Sequence, residues 1–172
     1  SSDVCSSDLA AIAASPSGTI ARVPGDTSVG TSMVWVDRSG RQDPQPIATG
    51  HMWEQPRLSI DGTRVAVGNR DGDNPDIWIV ELARHLSTRF TLAPGEDESP
   101  IWSKDRILFR GGGTGGLQSK PADGSAAETG VKIDFNLGPG SNPHFSSVSP
   151  DGASLAAYAV SATNGEDVFI ID

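Results

Sequence analysis

A chain of 172 residues holds one domain of ordinary size or a piece of a larger one. Its net charge of -9 argues against a nucleic-acid backbone or an anionic membrane surface as partner, because like charges repel. Only 36% of the residues are apolar, and 20 glycines with 12 prolines suit an all-β chain with many tight turns better than a helical one.

In chain order, the opening SSDVCSSDL (1–9) is rich in serine and aspartate and holds the single cysteine, Cys5. No internal disulfide is available, so cysteine usage does not set the compartment. LAAIAA (9–14) is far short of the ~20 residues of a membrane span, and no basic residue precedes it as a signal peptide requires. From there a phrase repeats. SPSGTI (15–20), SIDGTRVAV (59–67), SKDRILF (103–109) and SPDGASLAA (149–157) carry Ser17, Asp61, Asp105 and Asp151 at their third positions, spaced by 44, 44 and 46 residues. A second phrase alternates with the first: MVWVDRSG (33–40), DIWIVELA (76–83), GLQSKPADG (116–124) and DVFIID (167–172). Such a period marks a repeat architecture whose units bury their apolar surface against one another.

The first phrase predicts a tight turn: Asp61 and Asp151 bond their own backbone two residues on, and Gly62 and Gly152 supply positive φ. Asp105 lacks the glycine, and its turn is two residues shorter than that at Asp61; strand periodicity of two preserves which side chains face the core. DIWIVEL is apolar on both faces at its centre, as in a strand packed between two other layers. Further strands are expected at LSTRFTL (86–92), PQPIA (44–48) and AETGVKI (127–133). Four short strands in about 45 residues, repeated, predict an all-β partial propeller of about four four-stranded antiparallel blades, near 10–49, 50–93, 94–137 and 138–172, the first and last incomplete and the ring not closed. Gln118 stands where other repeats carry Trp35, Trp78 or Phe169, which predicts a weakly packed third blade.

The paired phrases resemble the WD40-like (PD40) repeats of the TolB family, whose usual form runs P-x-W-S-P-D-G, an apolar strand, then D-I-W and an outer strand. ESPIWSKDRILF (98–109) and DGDNPDIWIVELA (71–83) carry the likeness, which covers about residues 10–172. Ile60 and Lys104 depart from it by replacing the motif proline, and Ser17 by replacing the aspartate. More narrowly, the chain is similar to propellers appended to bacterial serine/threonine kinases, although no H-R-D, D-F-G or V-A-I-K set is present. The resemblance implies innermost strands near 11–15, 56–60, 99–103 and 144–149, an extracytoplasmic position, and a rim of loops that meets a protein partner or small ligand. It implies a non-catalytic sensing or interaction module; the alternative is the substrate-gating propeller of a prolyl-oligopeptidase-like serine peptidase. Propellers of this family usually have six blades, so the chain is expected to be a fragment that aggregates or unfolds readily alone. Residues 1–9 match no blade phrase and resemble a translated sequencing-adapter remnant, and are read as a non-native leader.

On that layout Glu54, Arg57, Glu98, Asn142 and His144 are the expected contacts. The acidic loops DGDNPD (71–76) and GEDES (95–99) are expected on one rim, where Asp71, Asp73, Asp76, Glu96 and Asp97 form a candidate set for a hard cation; solvated turn acids are the simpler reading. GGGTGG (111–116) satisfies G-x-G-x-x-G, but a dinucleotide site needs a helix next, and LQSKPADG with Pro121 reads as no helix. His51, His85 and His144 are too scattered for a metal motif, and the tryptophans Trp35, Trp53, Trp78 and Trp102 read as packing between blades. No G-x-S-x-G elbow occurs, no catalytic residue is assigned and no cofactor is expected.

Overall fold

The computed structural model describes residues 31–111, 116–133, 142–161 and 165–172, with two short strands upstream. The opening 1–9, the turn at Ser17 and residues 112–115 of the glycine run lie outside the described residues. Within them every regular element is a strand, and no helix is long and apolar enough to cross a membrane.

Four antiparallel meanders follow one another. The first sheet holds β1 (Ile12–Ala14), β2 (Ile20–Arg22), β3 (Thr31–Val36) and β4 (Ala48–His51). The second holds β5 (Trp53–Leu58), β6 (Arg64–Asn69), β7 (Asp76–Glu81) and β8 (Leu86–Arg89). The third holds β9 (Glu98–Ser103), β10 (Arg106–Arg110), β11 (Leu117–Pro121) and β12 (Thr129–Gly130). The fourth has three strands, β13 (Asn142–Val148), β14 (Leu155–Ser161) and β15 (Gly165–Ile171). The first strand of each sheet lies beside the first strand of the next: β1 against β5, β5 against β9, β9 against β13. This is an open, partial β-propeller with those strands innermost.

Strand alternation gives each sheet two apolar faces, and successive sheets stack face to face. Met33 and Ile47 of the first sheet meet Trp53, Val65, Val67 and Val80 of the second. The second sheet's other face, Ala66, Ile77 and Ile79, meets Trp102, Ile107, Phe109 and Ala122 of the third. Ile101 and Leu117, on the third sheet's far side, meet Phe145, Leu155 and Ala157 of the fourth.

One expectation is corrected here. The third sheet is not weakly packed: Ile107 and Phe109 are fully buried, and the Gln118 stem fills the space over Gly111, where an added Cβ would come within 2.2 Å of Gln118 Cγ. In the first sheet the fully buried residue facing the second is Met33, while Trp35 is half-buried at the edge of the cluster. The shortened turn at Asp105 behaves as expected. Ser103 pairs with Arg106 across it, and Ile107 takes the place Val65 has in the second sheet, both 0% exposed.

The longer turns show why serine precedes the aspartate. Ser59 Oγ donates to Asp61 Oδ1 at 2.6 Å and accepts from Arg64 N at 2.9 Å, while Thr63 N donates to the same Asp61 oxygen at 3.0 Å. Ser149, Asp151, Ala153 and Ser154 repeat the pattern at 2.6, 3.0 and 2.9 Å. Gly62 and Gly152 complete the turns at φ 70° and 76°. The Ser59 hydroxyl, then the Thr63 amide and hydroxyl, hold the Asp61 carboxyl at about 2, below its ordinary 3.8. A carboxyl lowered on folding stabilises the fold above its unfolded value and loses that contribution as pH falls through the folded one. Between pH 3.8 and about 2, Asp61→Asn is therefore expected to lose less stability than the parent, read by urea unfolding at stepped pH; parallel curves would contradict this.

The fourth sheet leaves one apolar face open. Ile170 pairs with Ala156 as Ile79 pairs with Ala66, and Val168 with Tyr158 as Ile77 with Gly68. Yet Val168 and Ile170 are 77% and 68% exposed, against 0% and 8% for Ile77 and Ile79. Burying one such side chain contributes about 1.5–3 kcal/mol, so this face drives association. The isolated chain is expected to self-associate in sedimentation runs, and Val168→Asp with Ile170→Asp to shift it toward monomer. A monomeric parent chain across the accessible concentration range would contradict this.

Candidate functional site

Two successive innermost strands, β5 and β9, carry a local irregularity at the same repeat position. Pairing of β5 with β6 slips between Glu54 and Arg57, and pairing of β9 with β10 slips opposite Leu108 and Arg110. At these bulges Gln55 and Ser99, 44 residues apart, take φ of 50° and 56°, left-handed values that cost a non-glycine residue about 1 kcal/mol. Each precedes a proline, Pro56 or Pro100, whose missing N–H suits a break in the ladder. The two bulges are tied together: Gln55 Oε1 accepts from Ser99 N at 2.9 Å and Ser99 Oγ at 3.1 Å. Bulges re-aim neighbouring side chains, and here those neighbours are Glu54 and Glu98.

These carboxylates alternate with two arginines in one chain of contacts. Arg70 Nε donates to Glu54 Oε1 at 2.7 Å, and Arg70 Nη2 to Glu98 Oε2 at 3.2 Å. Arg110 Nη1 closes the row on Glu98 Oε1. The Glu98 side chain is 8% exposed, so its charge is carried by two guanidiniums rather than by water. Gly68, opposite Glu54, leaves that side chain its room; an added Cβ would stand 3.2 Å from Glu54 Cγ. Burial raises the Glu54 carboxyl above its ordinary value, against the opposing Arg70 charge, while Glu54 foremost raises the Arg70 guanidinium.

His144 occupies the next equivalent position. It pairs with Tyr158 as Glu98 pairs with Arg110, and its ring stacks on the Tyr158 ring at 4.9 Å and 10°. Asn142 opens β13, and its side chain lies outside the described residues. Arg57 stays out of the row: Nη1 donates to Pro56 O at 3.1 Å, and its carbonyl accepts from Trp102 Nε1 at 2.8 Å. Glu54, Glu98 and His144, expected as contacts from the family layout, stand at equivalent inner positions, and the sequence reading missed Arg70 and Arg110, which follow β6 and close β10.

The two acidic loops do meet, through Gly95 N on Asn74 Oδ1 at 2.7 Å and Asp97 N on Pro75 O at 2.9 Å. Their carboxylates do not converge. Asp76 pairs with Arg89 Nη2 at 2.7 Å; Asp71 takes His51 Nδ1 at 2.5 Å and Met52 N at 3.1 Å. Asp73 and Glu96 are exposed and Asp97 is buried, and among the described residues no three His, Cys, Asp or Glu side chains form a metal-holding group. His51, set aside as scattered, lies 4.7 Å from the Trp53 ring and 4.9 Å from Trp78, fastening the link between the first two sheets to the β6–β7 loop.

Successive four-stranded meanders with adjacent inner strands and a polar row between them define part of a β-propeller. No protein-family model matches the sequence, and no curated protein does. Among solved structures, TolB from Acinetobacter baumannii superposes with a TM-score of 0.74 at 19% identity, over 94% of this chain and 40% of that one. A putative TolB from Agrobacterium tumefaciens gives 0.72 at 20% identity, over 92% and 59%. A puromycin-hydrolyzing peptidase from Mycobacterium tuberculosis gives 0.64 at 18%, over 95% and 27%. The fold is that of a TolB-like propeller, and the chain spans 40% and 59% of the two TolB chains it matches.

Removing one partner of a buried ion pair leaves an uncompensated charge, at about 3–5 kcal/mol, whereas exposed pairs contribute about 0–1 kcal/mol. Arg110→Met is therefore expected to cost about 3 kcal/mol in denaturant unfolding, and Glu54→Gln under about 1 kcal/mol. Because its carboxyl is raised, Glu54 makes the fold lose stability as pH rises above 4.5 through the folded value, and Glu54→Gln removes that slope. Equal costs for the two variants would contradict the ranking.

Proposed function

We propose that the chain is a non-catalytic propeller module that meets a protein partner or a small ligand at its inner-strand row, as part of a larger extracytoplasmic TolB-like or kinase-associated signalling protein. The row Glu54–Arg70–Glu98–Arg110 carries this reading. Arg70 and Glu54 are partly exposed and already held in place by buried Glu98. Groups fixed before binding lose little freedom when a partner arrives, and alternating charge selects a complementary partner over a merely apolar one. The PD40-like phrases and the likeness to two TolB structures support the parentage.

The likeness to the M. tuberculosis peptidase supports a second reading, in which the propeller gates substrate to a hydrolase domain elsewhere in the same protein. Recovering the complete gene separates the two. A photo-cross-linking residue at Arg70 of the complete protein, expressed in its host, is expected to capture a partner that the same probe at exposed Asp73 does not. Equal capture at both positions, or none at Arg70, overturns the first reading. A G-x-S-x-G hydrolase domain with peptidase activity in the same frame establishes the second.

A further inference from the structure

The same place in two successive seams is filled differently. Between the second and third sheets, Phe90 and Trp102 belong to the apolar cluster and are 7% and 9% exposed. Their counterparts between the third and fourth sheets are valines. Val131 N donates to Leu117 O as Phe90 N donates to Ile77 O, and Val148 pairs with Leu155 as Trp102 pairs with Ile107. Two isopropyl groups thus stand where the preceding seam has two aromatic rings. Leu108, in the place of Ala66, refills part of the space.

What is left is a cavity of about 290 Å³, lined by no residue of the inner-strand row. Its walls are aliphatic. Leu117 and Leu155 are buried, Ile133, Val148 and Ile171 are half-buried, and Val131 is 37% exposed where Phe90 is 7%. Close-packed interiors rarely leave such a volume, and an apolar cavity of roughly 150 Å³ already admits benzene.

The polar groups around it are exposed or answered. The side chains of Lys132 and Asp172 bring one charge of each sign to the mouth, both exposed, and Ser154 Oγ donates to Asp172 Oδ1 at 2.7 Å. Lys104 lies over Gly152 and faces Asp151. Arg106, the counterpart of Arg64, turns aside onto Ser119 Oγ at 2.6 Å. The lining therefore holds no buried charge among the described residues. We propose that this cavity binds a small uncharged aromatic molecule of one ring or two fused rings, seated where Phe90 and Trp102 stand in the preceding seam. Burial of the ring against aliphatic walls supplies the affinity. A charged group on the ligand would lose water with no buried partner to replace it.

The test titrates indole into the purified chain with labelled leucine, valine and isoleucine methyl groups, read by NMR and by thermal melting. Saturable shifts are expected at the methyls of Leu117, Val131 and Leu155, with a raised melting temperature. Tryptamine and indole-3-acetate, the same ring carrying a charge of either sign, are expected to bind about tenfold more weakly or worse. Val131→Phe restores the ring of the preceding seam and is expected to weaken indole about tenfold or more by filling its place. If Val131→Phe does not fold, Val148→Phe decides in the same way. The proposal is overturned by shifts centred on exposed Val168 and Ile170, by the absence of saturable shifts, by equal binding of a charged analogue, or by undiminished indole binding in the folded variant.

Discussion

Every feature of this chain depends on sheets that are apolar on both faces and must therefore be covered on both. A four-stranded meander of this size buries too little by itself; Val65, Val67 and Val80 need Met33 and Ile47 on one side, and Ala66, Ile77 and Ile79 need Ile107 and Phe109 on the other. The stacking is directional, each sheet offering one face to the sheet before and the other to the sheet after. Val168 and Ile170 show the rule by exception. They are the right residues at the right register, with nothing described over them.

The inner-strand row follows from the same stacking. Face-to-face packing places β5 beside β9, which lets Gln55 reach Ser99 and Arg70 reach Glu98. Two equivalent bulges, otherwise isolated strains of about 1 kcal/mol each, brace one another across the seam. Glu98 sits at 8% exposure with arginines from two sheets converging on its carboxylate. The polar row is thus a product of repetition: the same inner-strand position, supplied twice, makes a network that neither sheet holds alone.

This explains what was legible in the sequence. The S-x-D-G turns could be read because their chemistry is local: Ser59, Asp61 and Gly62 satisfy one another within a few residues. The two-residue shortening at Asp105 followed from spacing, and the inner strands from the family resemblance. Contacts between sheets were less accessible. Gln118 looked like a packing defect because Gly111, its complement, sits on the neighbouring strand. Trp35 and Trp78 both pack half-buried against one cluster, as read, while Met33, which no pattern singled out, takes the buried place facing the second sheet. The acidic loops were placed together correctly, but their side chains turn to Arg89 and His51, partners that no local pattern announces.

Charge is distributed by the same logic. A chain carrying a net charge of -9 keeps acids such as Asp37, Asp61, Asp73 and Asp151 in solvated turns and loops, while Asp76, Asp97 and Glu98 are buried and several of its cations lie at the seams between sheets. Arg70 and Arg110 meet Glu98 at the inner strands; Arg64 and Lys120 line the cleft between the second and third sheets, on an aromatic face and a carbonyl. Long basic side chains suit such seams, because their stems pack against apolar neighbours while their heads find oxygen. At the inner seam those oxygens are carboxylates of the chain itself, and the row is closed. At the cleft they are the Phe90 and Ala122 carbonyls, with the Glu128 carboxylate 3.8 Å from Lys120 Nζ. A single mode of packing therefore yields two unlike polar seams, one of arginines gathered on a buried carboxylate and one of cations set on backbone carbonyls and aromatic rings.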